Sequence, residues 1–233
     1  FGNGDFTFIN KDAGLPVGSI NAVDVGDFNH DGTDDIVLAL GGSQGVRCYS
    51  YDNQSDTWIS YSTGLPSSST YYLVQYGDIN GDQDLDVIMY KDPTGTIYLG
   101  DGSGSWTQDA SWTMPSPGDY SAMRVDGDID FDGREDIIIQ AESSDFPTYK
   151  NILRCYSPWK EPGQLEGYIR SPHGGEMMRV DSIRMIRWIS SVPDQDGQAT
   201  VKIELSTQGN NGPWTMIADN LENSGSYQWN VQG

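Results

Sequence analysis

The chain has 233 residues, with 34 acidic and 13 basic side chains, 28 glycines and a formal net charge of −21. That balance excludes a nucleic-acid surface, which needs clustered Lys and Arg, and electrostatic adhesion to anionic lipid. No run approaches the ~20 apolar residues of a membrane-spanning helix. The Gly, Asp and aromatic content, without a long amphipathic pattern, predicts an all-β chain of one large or two medium domains.

Taken in order, the elements recur about every 50 residues, which signals a repeat architecture. Phe6-Thr7-Phe8-Ile9 and the following Gly14-Leu15-Pro16 read as the last strand of one repeat and the link to the next. Trp58-Ile59 with Gly64-Leu65-Pro66, and then Trp106 with Trp112-Thr113-Met114-Pro115, are the later counterparts. The expectation is therefore a fragment of a longer secreted protein that opens inside a repeat. Inner strands are predicted at 20–25, 72–76 and 122–125, and second strands at 36–40, 87–90 and 137–139. Third strands follow at 45–51, 95–99 and 151–157, and the third repeat has no clear outer strand.

Between each inner and second strand lies an acidic loop, at 27–35, 78–86 and 128–136. Each loop puts an oxygen-bearing side chain at positions 1, 3 and 5 and a carboxylate at position 9. Alternating oxygens in a tight turn can wrap one hard cation, and calcium takes six to eight oxygens in irregular geometry. The predicted ligands of the first loop are Asp27, Asn29, Asp31 and Asp35, with the carbonyl of Thr33. Those of the second are Asp78, Asn80, Asp82 and Asp86, with the carbonyl of Asp84. Those of the third are Asp128, Asp130, Asp132 and Asp136, with the carbonyl of Arg134. About three Ca²⁺ ions are expected. Magnesium suits the loops less because it demands strict octahedral geometry, and zinc lacks a Cys or His cluster.

The opening of each loop also begins an EF-hand. Position 12, however, holds Leu38, Met89 and Ile139 in place of the bidentate Glu, and the flanks read as strands. Gln83 stands where Gly32 and Gly133 stand. If that position needs positive φ, a non-glycine residue costs roughly 1 kcal/mol. The second site is accordingly expected to be the weakest, and the third, with four carboxylates, the tightest. The alternative, three solvated acidic turns, leaves closely set carboxylates to repel one another without a cation.

Gly26–Asp35, Gly77–Asp86 (with Gln83 off-pattern) and Gly127–Asp136, each followed by an apolar strand, resemble the FG-GAP/VCBS-type repeat. The resemblance covers roughly residues 1–160. It implies β-propeller blades, as in integrin α subunits and secreted microbial proteins, and carries the calcium-ligand role onto the twelve side chains named above. Three blades do not close a propeller, which usually has four to eight. Upstream blades are the favoured completion. Pairing of two chains, which makes self-association through incomplete propeller edges possible, and a contribution of residues 1–16 to the third blade are the alternatives.

Residues 157–166 read as a Pro- and Gly-containing linker. Beyond it, strands are expected at 166–170, 183–190, 200–206, 214–218 and 226–231. Pro172-His173-Gly174-Gly175-Glu176, Ile186-Arg187-Trp188, Val201-Lys202-Ile203-Glu204-Leu205 and Tyr227-Gln228-Trp229 resemble an immunoglobulin-like module of microbial surface and cell-wall proteins. Residues 167–233 are therefore expected to form a truncated β-sandwich, since a full one needs about 100 residues.

Other chemistry is thin. His30 and His173 lack a nucleophile partner and read as turn residues. Cys48 and Cys155 occupy equivalent Arg-Cys-Tyr-Ser positions and read as buried thiols, too far apart for a disulfide. Tyr71, Tyr72, Trp106, Trp112, Tyr120 and Trp159 could stack on sugars but read as packing between repeats. Asn53-Gln54-Ser55 is a glycosylation sequon.

The resulting expectation is a non-enzymatic, calcium-binding, extracellular adhesion or recognition scaffold with a protein or glycan ligand. The alternatives are a lectin, or an ancillary or catalytic part of a secreted carbohydrate-active enzyme such as a polysaccharide lyase.

Overall fold

The computed structural model describes residues 9–113, 119–125, 127–130, 132–143, 150–157, 166–172, 176–191, 199–209 and 211–232. The expectations for residues 1–8, most of the 157–166 linker, Trp159 and His173 fall outside these residues, as does the side chain of Tyr120. The described chain is all-β and antiparallel within its sheets.

β1 (Ile20–Gly26), β2 (Asp35–Leu40), β3 (Val46–Asp52) and β4 (Thr57–Ser60) form a four-stranded meander in sequence order. β5 (Leu73–Gly77), β6 (Asp86–Lys91), β7 (Thr94–Gly100) and β8 (Trp106–Thr113) repeat it. β9 (Asp119–Val125), β10 (Ile137–Ser143) and β11 (Lys150–Tyr156) form a three-stranded version. The central strands are continuous apolar runs because both of their faces are covered. β2 and β6 are buried along nearly their whole length, with Val37, Ala39, Val87, Ile88 and Met89 fully buried.

Two apolar clusters lie between these sheets. Val37, Ala39, Val46 and Cys48 of the first sheet meet Val74, Tyr76, Val87, Met89 and Tyr98 of the second. Ile88, Tyr90 and Ile97 on the other face of the second sheet meet Met123, Val125, Ile137 and Ile139 of the third. Of the aromatic residues assigned to packing, Tyr71 and Trp106 are buried in the first cluster and Trp112 packs on the second. Tyr72 is half-exposed. Cys48 is buried and Cys155 is exposed, which corrects the expectation of two buried thiols; neither forms a disulfide. Cys155 pairs with Ile138, on the face of the third sheet opposite to the one that carries Ile137 and Ile139 into the second cluster.

The links between repeats are clamped by backbone bonds. Trp58 donates its N–H to Ala13 O and its indole N–H to Lys11 O. One repeat later, Trp106 donates its N–H to Thr63 O and its indole N–H to Tyr61 O. The Gly-Leu-Pro links fit because Gly14 and Gly64 adopt φ of +90° and +94° against the Trp58 and Trp106 carbonyls.

Contacts divide the chain into two units, residues 1–126 with 135–158, and residues 127–134 with 159–233. The second unit contains a sheet of β12 (Glu166–Ser171), β13 (Ile183–Ser191) and β16 (Ser226–Asn230), and a hairpin of β14 (Thr200–Leu205) and β15 (Thr215–Glu222). Ile186, Trp188 and Trp229 from the sheet and Ile203 from the hairpin share one apolar cluster with Val231. Among the described residues no helix is long and apolar enough to cross a membrane.

Candidate metal centres

Each acidic loop joins the two inner strands of a sheet, and its first carboxylate organises the turn. Asp27 accepts the N–H groups of Asp31 and Gly32 at 3.1 and 2.9 Å. Asp78 accepts those of Gly81, Asp82 and Gln83 at 2.7, 3.1 and 3.0 Å. Asp128 accepts those of Asp132 and Gly133 at 3.1 and 3.0 Å. The third-position side chain accepts the N–H of the fifth residue: Asn29 from Asp31, Asn80 from Asp82 and Asp130 from Asp132. The fifth-position carboxylate accepts the N–H of the seventh residue: Asp31 from Thr33, Asp82 from Asp84 and Asp132 from Arg134. Three stretches of different sequence thus fold into one turn, because Asp and Asn side chains can stand in for backbone acceptors two or more residues on.

The ninth-position carboxylate closes the loop from the following strand. Asp35 accepts the Phe28 N–H at 3.2 Å, and Asp86 accepts the N–H groups of Ile79 and Gly100 at 2.9 and 3.0 Å. Asp35, Asp78 and Asp86 are fully buried, and Asp27, Asp132 and Asp136 nearly so. Burial, reinforced by neighbouring carboxylates, pushes the Asp35 carboxyl up to about 7, with the Ser50 hydroxyl opposing. Burial pushes Asp86 to about 7 against the pull of the Gly100 and Ile79 N–H groups. Asp128 rises to about 6 for the same first reason, with Asp132 and Asp130 adding repulsion.

In the third hairpin, one carboxylate oxygen from each of Asp128, Asp130 and Asp136 lies within 4.8 Å of the others. Two oxygens on a common Ca²⁺ at about 2.4 Å each can be at most about 4.8 Å apart. This donor set of hard oxygens fits a divalent cation. Asp132, the fourth predicted side-chain ligand there, is buried outside this group, and its backbone bridges Ser191 of β13. In the first two loops the third position is Asn, and the carboxylates of Asp27, Asp31 and Asp35, or of Asp78, Asp82 and Asp86, are not drawn together as closely. The side chain of Asp84, predicted to contribute only its carbonyl, meets His30 Nε2 at 2.8 Å.

The sixth loop position is left-handed in all three copies: Gly32 at φ 82°, Gln83 at 77° and Gly133 at 87°. The fourth position is left-handed too, at His30 (57°) and Gly81 (75°). The first two loops therefore each place one glycine and one larger residue in that region, in opposite order. The backbone cost at Gln83 has a counterpart at His30, so it does not single out the second loop. Sequence reasoning also missed Glu135, a fully buried residue whose carboxylate accepts the Asp78 N–H. Its only sequence signal was an acidic residue where the second loop has Leu85.

No curated protein sequence matches this chain. Among solved structures, the crystal structure of a protein from Lactobacillus plantarum is similar at 12% identity and a TM-score of 0.29, over 80% of this chain and 54% of that one. The matched region spans about half the length of that protein, and at this similarity it informs neither fold nor function here. The FG-GAP-like repeat family matches residues 78–139, which take in the second and third acidic loops, and over that stretch the chain is similar to such repeats.

Proposed function

We propose that this chain is a calcium-stabilised, non-catalytic recognition scaffold of an extracellular protein. In this reading residues 1–160 form propeller-type blades whose three hairpin loops each hold one Ca²⁺. Residues 167–233 form an accompanying immunoglobulin-like module. The observation that carries the calcium reading is the convergence of Asp128, Asp130 and Asp136 in a loop whose hydrogen bonds recur in the other two.

Bound calcium would supply charge neutralisation. The protein's own contribution is a turn prebuilt by backbone N–H donors, which in the third loop holds carboxylate oxygens of Asp128, Asp130 and Asp136 within reach of one ion. Buried carboxylates with raised proton affinity are unfavourable as bare anions and gain most from a cation. Extracellular calcium suits loops of ~10⁻⁴–10⁻³ M affinity. The similarity to FG-GAP-like repeats over residues 78–139 supports a structural role for the sheets.

Thermal unfolding in EDTA, in a calcium series and in magnesium tests this reading. One site held at 100 times its dissociation constant adds roughly 2.7 kcal/mol. The expected result is a midpoint that climbs by many degrees with calcium and little with magnesium. A midpoint indifferent to calcium would reduce the loops to hydrogen-bonded turns and remove the basis for the proposal.

A further inference from the structure

The second and third acidic loops are tied by a buried side chain that belongs to neither donor set. Glu135 stands at the eighth position of the third loop, between Arg134, whose carbonyl is a predicted ligand, and Asp136, one of the three carboxylates that converge there. It is 0% exposed, and its Oε2 accepts the Asp78 N–H at 2.6 Å. Asp78 is in turn the residue on which the second loop is built. Its two carboxylate oxygens accept the N–H groups of Gly81, Asp82 and Gln83.

The first and second loops are joined differently. Leu85 stands at the eighth position of the second loop and packs toward Gly26, where a Cβ would meet its Cδ1 at 2.7 Å. A leucine offers no acceptor to the Asp27 N–H. The polar contact between these two loops, His30 with Asp84, is partly exposed on both sides and is weakened by salt, whereas a buried contact is screened much less.

We infer that Glu135 is a positioning residue that couples cation binding at the second and third loops, so that occupancy of one raises the affinity of the other. The inference rests on the calcium reading above and goes beyond it by making two of the sites interdependent. When Asp136 and the Arg134 carbonyl are held on an ion, the backbone is fixed on both sides of Glu135. The Glu135 carboxylate is then fixed against the Asp78 N–H before the second loop is filled. Part of the ordering that filling the second loop requires is already in place, which is positive cooperativity without a large change of shape. Linkage makes the effect reciprocal: filling the second loop tightens the third by the same factor.

Calcium titration of the full chain at near-physiological salt, read by the backbone amide signals in NMR spectra, tests the coupling loop by loop. Gly81 and Gln83 report the second loop, Gly133 the third and Gly32 the first. Asp82 and Asp130 are exposed, so replacing either by lysine disables one loop and leaves the core intact. In Asp130→Lys the second loop is expected to need at least about five times more calcium for half-saturation. In Asp82→Lys the third loop should weaken by the same factor. The first loop should keep its affinity in Asp130→Lys.

Glu135 is tested in the same way. Glu135→Gln keeps an acceptor oxygen, and in that background Asp130→Lys should still weaken the second loop. Glu135→Ala removes the acceptor, and there Asp130→Lys should no longer move it. Neither a general loss of stability nor the charge of the new lysine gives that pattern. If Glu135→Ala does not fold, the reciprocal pair Asp130→Lys and Asp82→Lys still decides. Affinities that ignore the state of the neighbouring loop, unequal factors in the reciprocal pair, or a first loop that weakens as much as the second overturns the coupling and leaves calcium binding standing. Amide signals that ignore calcium in all three loops overturn the calcium reading and the coupling with it.

Discussion

Glu135 Oε2 accepts the backbone N–H of Asp78 at 2.6 Å, so a residue of the third repeat holds the first carboxylate-bearing residue of the second loop. The approach is possible because Gly77 has no side chain. A Cβ there would lie 2.8 Å from this carboxylate and 2.3 Å from Val125 Cγ1. Leu85 occupies the corresponding place one repeat earlier, where a Cβ on Gly26 would meet its Cδ1 at 2.7 Å. The Gly-Asp pair that opens each of these two loops is thus read by the next repeat.

Glu135→Ala should destabilise the protein by about 1–3 kcal/mol, because it leaves the Asp78 N–H buried without its acceptor. Glu135→Gln keeps an acceptor oxygen and should recover most of that loss. Urea unfolding of the two variants makes the comparison; equal loss in both would mean that the hydrogen bond is not the cause.

Gln83→Gly should stabilise the fold by roughly 0.5–1 kcal/mol, since it removes a Cβ from a left-handed backbone. His30→Gly relieves the same cost but gives up the contact with Asp84, so its net gain should be smaller. Thermal midpoints in EDTA separate the two effects from calcium binding.

Gly64→Ala should cost about 2 kcal/mol or more. The new methyl would sit 1.9 Å from the Trp106 carbonyl oxygen at a φ of +94°. Chemical denaturation should show the loss, and no change in calcium stoichiometry should accompany it.

The buried carboxylates predict an inverted pH response. Asp35 and Asp86 hold their protons up to about pH 7 and Asp128 up to about pH 6, well above the ordinary carboxyl range. Between about pH 4 and 7 the folded protein therefore binds protons that the unfolded chain releases. Without divalent cation, the stability from these groups is full below about pH 4 and is lost as the pH rises through 7. Calcium binds the deprotonated form, so its stabilisation should grow over the same window. Midpoints measured against pH in EDTA should fall toward neutrality, and those in calcium should not. Parallel curves would show that these carboxylates do not meet the ion.

Much was legible before any coordinates. The 50-residue period placed β1, β5 and β9 and their partners to within a few residues, because buried central strands are written as apolar runs between Asp-Gly turns. The strands at 166–171, 183–191, 200–205 and 226–230 followed from the same pattern. The loop chemistry was also local: side chains bonding to the backbone two to five residues on are fixed by sequence spacing alone. Tertiary structure decided the rest. It showed that the first two loops share their backbone strain, that Asp132 stands apart from Asp128, Asp130 and Asp136, and that Glu135 serves the neighbouring repeat. It also decided which of the equivalent apolar faces are covered, burying Cys48 and Val74 while leaving Cys155 and Val23 in solvent. Sequence spells the same face in every repeat; whether that face is core or surface depends on a neighbour that only packing supplies.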